Sequence, residues 1–280
     1  MPELPEVETL RRMLESRVVS RVVARGVRSS ARLHTSSRGG SLDALAGRRI
    51  EAIERRGKYL LFRLDHDITL LSHLGMSGRW LFYEREPDTE LKHVHARLEF
   101  KDGTRLWFQD ARRFGQLRVL KGAALEKDES LARLGRDPLD PPLTPAELRE
   151  LARGLTLSVK LLLLDQARIA GIGNIYASEI LHHARIDPRR RAGTLTLAEW
   201  TAVAPEIVAV LSEAIARMGT TFSMYRTIWG ESGQYGEQLR VYDRAGEPCR
   251  DCGTPIRRII QAQRSTFFCP ACQSRIKRGG

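Results

Sequence analysis

The sequence predicts an α+β multidomain protein: an N-terminal helix, a β-rich domain, a helical domain and a small C-terminal β-hairpin. Three observations predict it. From about Val19 to Leu120 the pattern turns to strands, short stretches rich in β-branched and aromatic residues and parted by turn signals. A proline cluster at Pro138, Pro141, Pro142 and Pro145 reads as a linker and parts them from stretches of helical period. All four cysteines lie in the last segment, Cys249–Gly280.

The elements follow in order. Val7, Leu10, Leu14 and Val18 recur at helical spacing, so a helix is expected over Pro5–Val18. Strands are expected at Arg49–Glu54, Tyr59–Leu64, Ile68–His73, Arg79–Tyr83, Ala96–Phe100, Arg105–Gln109 and Gly115–Val119. That many short strands implies a sandwich or a barrel. Thr144-Pro145-Ala146-Glu147 has an N-cap, a first-turn proline and a capping-box glutamate. Helices are expected at Thr144–Arg153, Leu157–Asp165, Asn174–His183 and Leu197–Met218. Thr220–Gln238 is polar, glycine-rich and without period, and reads as a mobile loop. The expected domains are 1–135, 136–240 and 241–280.

Of the 280 residues, 42% are hydrophobic, enough for packed cores, which excludes a disordered basic tail. The longest apolar run, around Leu161–Leu164, is far too short to span a bilayer. The acidic start, Met-Pro-Glu-Leu-Pro-Glu-Val-Glu, has no apolar segment of a secretory signal. A soluble, intracellular protein is expected. With 46 Lys+Arg against 34 Asp+Glu the net charge is +12, which favours a polyanionic partner, nucleic acid foremost. Cys249–Gly280 holds seven basic side chains against Asp251 alone, half of the surplus.

Cys249, Cys252, Cys269 and Cys272 form C-x2-C-x16-C-x2-C, within the spacing of a four-thiolate zinc site. Each C-x-x-C turns two sulfurs toward one point, and two such loops complete a tetrahedron with no open position, so the metal is structural. Disulfides are the competing reading, and nothing in the chain points to an oxidising compartment. Pro255–Gln261 and Ser265–Phe268 read as the hairpin between the pairs, with Arg264 near its tip.

The chemistry-bearing stretches begin at the second residue. Removal of Met1 would leave Pro2 with a secondary α-amine, whose pKa of about 8 leaves an appreciable neutral fraction near neutral pH. Such an amine attacks an aldehyde-like carbon and gives a cationic iminium, an electron sink. Glu3 and Glu6 stand beside it to move protons, and the same residues also make a good helix start. Gly57-Lys58-Tyr59 sets a lysine at a strand edge, and His73-Leu-Gly-Met-Ser-Gly78 is a glycine-spaced turn carrying Met76. Asp110-Ala-Arg-Arg-Phe-Gly115 pairs guanidinium with an aromatic, the kind of wedge that fills a base stack when a base is extruded; a salt-bridged turn is the blander reading. Gly171-Ile-Gly-Asn174 opens a helix whose free N–H groups could hold a phosphate, or Asn174 could simply cap it.

Together these stretches, with Gly173-Asn-Ile-Tyr-Ala-Ser-Glu179 and Ala262-Gln-Arg-Ser-Thr-Phe-Phe-Cys269, resemble the bacterial formamidopyrimidine-DNA glycosylase family in order and spacing from Pro2 to Cys272. The resemblance implies a two-sheet β-sandwich behind the N-terminal helix, a helix–two-turns–helix domain with a lesion-capping loop at 220–238, and a zinc finger. It implies a base-excision glycosylase and abasic-site lyase acting on oxidised purines, 8-oxoguanine and formamidopyrimidines, in duplex DNA. Pro2 would be the nucleophile, Glu3 the general acid and base, and Glu6 its supporting carboxylate. Lys58, His73, Asn174 and Arg264 match phosphate contacts, with Lys58 and Arg264 counted in the catalytic set. Met76, Arg112 and Phe114 match the trio that fills the gap left by the flipped base. Lys160 is a further phosphate candidate, His93 a further DNA-contact candidate, and Ser223 a base-contact candidate. The implied cofactor is one structural Zn2+, the partner damaged double-stranded DNA, the state a monomer without membrane attachment, and the location the bacterial cytoplasm at the nucleoid.

Two departures stand out. Ala111 replaces the family's usual proline, and after Thr220-Thr221 the chain runs Phe-Ser-Met-Tyr-Arg-Thr-Ile-Trp, unlike the usual capping loop. Two rival readings are a sister endonuclease for oxidised pyrimidines and a relative that binds DNA without cutting it. Leu-Pro-Glu-Val-Glu after Glu3 and the Arg112/Phe114 pair favour the formamidopyrimidine branch. Retention of Pro2, Glu3 and Lys58 together argues against an idle binder.

Overall fold

The computed structural model describes all residues except 30–32, 34–39, 222–224 and 275–280. The chain forms two compact units, Met1–Ala132 with Ile215–Gly236, and Arg133–Ala214 with Glu237–Gly280.

The first unit opens with helix α1, Leu4–Val18. Its stripe Val7, Leu10, Leu14 and Val18 is buried in the core, the helical period read from the sequence. Among the described residues eight strands follow: β1 (Val23–Arg28), β2 (Ile50–Arg56), β3 (Tyr59–Leu64), β4 (Ile68–His73), β5 (Arg79–Tyr83), β6 (Val94–Phe100), β7 (Arg105–Gln109) and β8 (Gln116–Lys121). They make two antiparallel sheets, ordered β1-β6-β7-β5 and β2-β3-β4-β8. Phe62 on β3, Trp80 on β5 and Phe108 on β7 pack at tilted and edge-to-face angles, with centroids 5.3 and 5.1 Å apart, and join the two inner faces. The indole N–H of Trp80 donates to Ser72 Oγ at 3.0 Å, so the buried donor is satisfied. This is a β-sandwich, which decides between the two architectures that the strand pattern allowed.

β3, β4, β5 and β7 lie where the sequence puts them. β1 is a strand that sequence reading missed. Val-Ala-Arg-Gly-Val-Arg has two arginines and a glycine, and only pairing with β6 makes it a strand. Within the segment after Met218, expected as a mobile loop, Tyr225 and Ile228 instead belong to the sandwich core. The Phe82 N–H donates to Ile228 O at 3.1 Å, extending the exposed edge of β5. Sequence reading grouped this segment with the helical domain, whereas its packing places it in the first unit.

A short helix α2 (Glu129–Ala132) ends that stretch. The second unit holds α3 (Pro145–Ala152), α4 (Val159–Leu164), α5 (Asn174–His183) and most of α6 (Leu197–Ala216). Thr144 caps α3 in a capping box with Glu147, as its sequence indicates. The stretch read as a linker is tied down, since Gly135 N–H donates to Gln166 O at 2.9 Å and Ala170 N–H to Arg136 O at 2.9 Å. The hairpin is β9 (Arg257–Gln261) and β10 (Arg264–Phe268), turned by Ala262 and Gln263 in the left-handed region. Among the described residues no helix is long and apolar enough to cross a membrane.

Candidate functional site

The N-terminal carboxylates are built into the start of α1. Pro2 is buried behind an exposed Met1, and Glu3 is the N-cap residue. The Glu3 N–H donates to Glu6 Oε2 at 2.7 Å, one half of a capping arrangement. The other oxygen, Oε1, accepts the Thr220 N–H at 2.8 Å. Glu3 and Glu6 are 4% and 1% exposed, so both carboxylates are held in fixed positions out of bulk water. Gly219 precedes Thr220 at φ +77°, and a Cβ there would stand 2.7 Å from Glu6 Oε1, so the approach requires glycine. The buried Tyr225 hydroxyl lies 3.5 Å from Glu6 O; burial first, and the Glu6 charge second, push its pKa up. Ser223 lies outside the described residues.

Lys58 sits in the turn between β2 and β3, in the sheet on which α1 packs, and is 7% exposed. The expectation of a strand edge holds for its backbone, but its side chain is buried. His73 ends β4, its Nδ1 accepts the Gly75 N–H at 3.1 Å, and its ring stacks on Tyr59 at 4.7 Å.

Two loops carry Met76, Arg112 and Phe114, the residues expected to form a wedge, and one buried aspartate organises them. Asp110 is fully buried. It accepts from Ser77 Oγ, from the Gly115 N–H at 2.7 Å and from the Arg112 N–H at 3.2 Å. Its own carbonyl is held by His95 Nε2 at 2.9 Å, and its N–H by the His93 carbonyl at 2.9 Å. His93 is exposed with φ +65° and reaches the loop through its backbone. Gly75, φ +62°, lies so close to the second loop that a Cβ would stand 2.4 Å from the Phe114 carbonyl carbon. Met76 and Phe114 are 41% and 42% exposed, which is unusual for large apolar side chains placed together on well-anchored loops. The Arg112 guanidinium lies 4.9 Å over the Phe114 ring. Sequence reading named the tips of these loops and missed their support, Ser77, His95 and the Asp110 carboxylate, because those contacts join residues distant in the chain.

In the second unit Lys160 requires a correction. It is fully buried, and Nζ donates to Asn174 Oδ1 at 2.6 Å, Thr266 Oγ1 at 2.7 Å and Ser265 O at 2.9 Å. These acceptors engage the ammonium group inside the protein. Lys160 therefore braces Asn174 and β10, and does not present its charge at the surface. Asn174 Nδ2 donates to Ser265 O at 2.9 Å. Asn174 is the first residue of α5 and Gly173 its N-cap, which decides against capping by the Asn174 side chain. Arg264 is exposed at the start of β10, next to the turn, as expected. Glu179, unnoticed in the sequence, is fully buried and accepts the N–H groups of Arg240, Val241 and Tyr242 at 2.8, 3.0 and 2.8 Å. Burial pushes its pKa up against those three bonds.

The four cysteine sulfurs lie within 4.8 Å of one another. Cys252 and Cys269 are 3.5 Å apart, and Cys249 and Cys272 4.0 Å. A tetrahedral zinc thiolate centre has sulfurs roughly 3.8 Å apart, so the set fits one Zn2+. The N–H of Cys272 also points at Cys269 Sγ, at 3.4 Å.

Comparison with known proteins covers the same regions. Residues 1–117 match the family model of the formamidopyrimidine-DNA glycosylase N-terminal domain. Residues 134–226 match that of the formamidopyrimidine-DNA glycosylase H2TH domain. Residues 246–275 match a zinc finger found in FPG and IleRS. The chain is 46% identical to a formamidopyrimidine-DNA glycosylase of Symbiobacterium thermophilum, covering 98% of this chain and 89% of that one. It is also 46% identical to one of Chloroflexus aggregans, covering 98% of each. Its structure is similar to that of the MutM (Fpg) protein of Thermus thermophilus, with TM-score 0.86, 38% identity, and 97% and 98% of the two chains covered. It is equally similar to Lactococcus lactis Fpg in complex with abasic-site DNA, with TM-score 0.86, 32% identity, and 98% and 100% covered.

Proposed function

The chain belongs to the formamidopyrimidine-DNA glycosylase family, and on that premise we propose that it excises oxidised purines from duplex DNA and then cuts the strand at the resulting abasic site. The observation that carries this reading is the pair of buried carboxylates, Glu3 and Glu6, held in place directly after Pro2.

Once Met1 is removed, the Pro2 amine attacks the anomeric carbon of the damaged nucleotide. A C–N bond forms, the glycosidic electron pair leaves with the base, and the base takes up a proton. Glu3, one residue away, is the group that exchanges protons with the sugar during ring opening and the two eliminations. Glu6 fixes the backbone of both Glu3 and Thr220. The iminium on Pro2 draws electrons from the sugar, and β- then δ-elimination releases the two flanking phosphates. Lys58, His73, Asn174 and Arg264 hold backbone phosphates. Met76, Arg112 and Phe114 fill the duplex where the lesion has left it, the role that exposed apolar and cationic tips on braced loops are suited to. The Zn2+ bound by the four cysteines is structural: it folds the hairpin that presents Arg264.

We propose 1–135 as the catalytic domain, 136–240 as the DNA-binding domain and 241–280 as the zinc finger, although the chain from Ile215 to Gly236 packs with the first unit. In this division of labour, residues 220–238 cap the flipped base. We further propose that the protein acts as a monomer at the nucleoid.

The test is borohydride trapping on a duplex with one 8-oxoguanine. The mature protein should cross-link through Pro2, and a Pro2→Gly or Met1-retaining chain should lose most of that product. A protein that binds the duplex tightly and never cross-links would overturn the reading. Cleavage of thymine glycol duplexes in preference to 8-oxoguanine would assign it to the oxidised-pyrimidine branch instead.

A further inference from the structure

Among the attachments along helix α5, three reach residues between 240 and 265. Asn174 at its first residue bonds Ser265 O of the hairpin, and Glu179 accepts three N–H groups of residues 240–242. The third, His182, has no part in the function proposed above. Its side chain is completely buried, with Nε2 3.6 Å from Cys249 Sγ and 3.9 Å from Asp251 Oδ2. Its other nitrogen, Nδ1, is buried with no hydrogen-bond partner among the described residues.

The surroundings fix where the proton sits. Cys249 as a zinc ligand is a thiolate, and Asp251 is a carboxylate paired with Arg240. Both groups facing Nε2 are therefore acceptors. A lone pair on Nε2 would meet two anions, whereas an N–H there meets two acceptors. Among the described residues Nδ1 has no hydrogen-bond partner that would hold the proton on its side.

We infer that His182 is a positioning residue of the zinc centre, its Nε2–H donating to the Cys249 thiolate. Four thiolates bring more negative charge than one Zn2+ neutralises, and N–H donors offset the excess on sulfur. Cys269 receives such a donor from the backbone of Cys272 within its own loop. Cys249 receives its donor from a side chain on another element, which ties metal retention to the packing of α5.

The experiment uses the full-length zinc-loaded protein, with one zinc per chain established first, and the variants His182→Phe and His182→Gln. Phenylalanine fills the ring volume without a donor, and glutamine carries an N–H near the Nε2 position. Zinc transfer to a chromogenic chelator should be about 10- to 100-fold faster or more complete for His182→Phe. His182→Gln should restore release close to the wild-type rate. Nitrogen-15 spectra of the wild type should show His182 protonated at Nε2. A His182→Phe protein that keeps its zinc as the wild type does overturns the inference. So does a wild-type Nε2 that is deprotonated or bound to the metal. If His182→Phe does not fold, the wild-type tautomer and the His182→Gln release rate decide.

Discussion

Glu6 Oε1 accepts the Thr220 N–H at 2.8 Å, while Oε2 of the same carboxylate accepts the Glu3 N–H at 2.7 Å. One buried side chain thus sets the position of the residue after the proposed nucleophile and of the first residue in the segment proposed to cap the lesion. A carboxylate can accept on both oxygens, whereas a glutamine presents an NH2 to one of the two donors. Glu6→Gln should therefore leave one buried N–H unsatisfied and cost about 1–3 kcal/mol. Thermal melting reads that loss. Single-turnover trapping should fall by a larger factor than duplex binding, because the defect lies at the reacting end.

Gly75 brings two loops together. Gly75→Ala forces a Cβ to within 2.4 Å of the Phe114 carbonyl carbon at a φ of +62°, so either loop must move. The expected result is a protein that folds with a lowered melting temperature and binds abasic-site duplex several-fold more weakly. Binding to undamaged duplex should change little, since backbone phosphate contacts carry it. Titration of both duplexes measures the contrast.

Lys160 and Arg264 are both cations within reach of the hairpin, yet the structure separates their roles. Arg264 is exposed, whereas Lys160 is enclosed by Asn174, Ser265 and Thr266. Arg264→Ala should weaken DNA binding and lower the slope of log K against log salt by about one. Lys160→Met should weaken binding too, by loosening β10, but leave that slope unchanged. Affinity measured across a salt series distinguishes a phosphate contact from a brace.

The same contrast shows where sequence reading succeeds. β3, β4, β5, β7 and α5 fell where expected because apolar runs, alternation and turn residues are local signals. The cysteine spacing carried the metal site for the same reason. What escaped was written in contacts across the chain. Lys160 looked like a surface cation beside a helix start, and only the carbonyl of Ser265 and the hydroxyl of Thr266, more than a hundred residues on, make it internal. Asp110 looked like one end of a salt-bridged turn, and its carboxylate instead accepts two backbone N–H groups and the Ser77 hydroxyl. The segment after Met218 looked mobile because Tyr225 and Ile228 show no period, although each fills a place in the sandwich core.

Glu8 gives α1 a dependence on pH. Its carboxylate is paired with Arg11, Arg12 and Arg55. Burial alone pushes its pKa up, but those three guanidinium groups together hold it below the ordinary 4.5. A group depressed in the folded state stabilises above its unfolded pKa and loses that contribution as pH falls through its folded value. The wild type should therefore lose stability below about pH 4.5. Glu8→Gln should be less stable near neutral pH and converge on the wild type in acid. Melting temperatures of both proteins from pH 7 to pH 3 check the convergence.

Zinc removal tests how far the hairpin depends on its metal. Its core is small, with Val241, Cys249, Ile256, Phe267 and Cys269 buried together, so two of the five residues are metal ligands. A core that small does not offset the chain entropy of its loops without the ion. The sandwich core is a separate cluster reaching from Val7 to Ile228, with no cysteine in it. Cys269→Ser, or chelation of the wild type, should thus melt the hairpin and displace Arg264. The cooperative unfolding of the N-terminal unit should remain. Binding to damaged duplex should drop steeply, and if it survives with zinc gone, Arg264 is not the anchor that the function proposed here takes it to be.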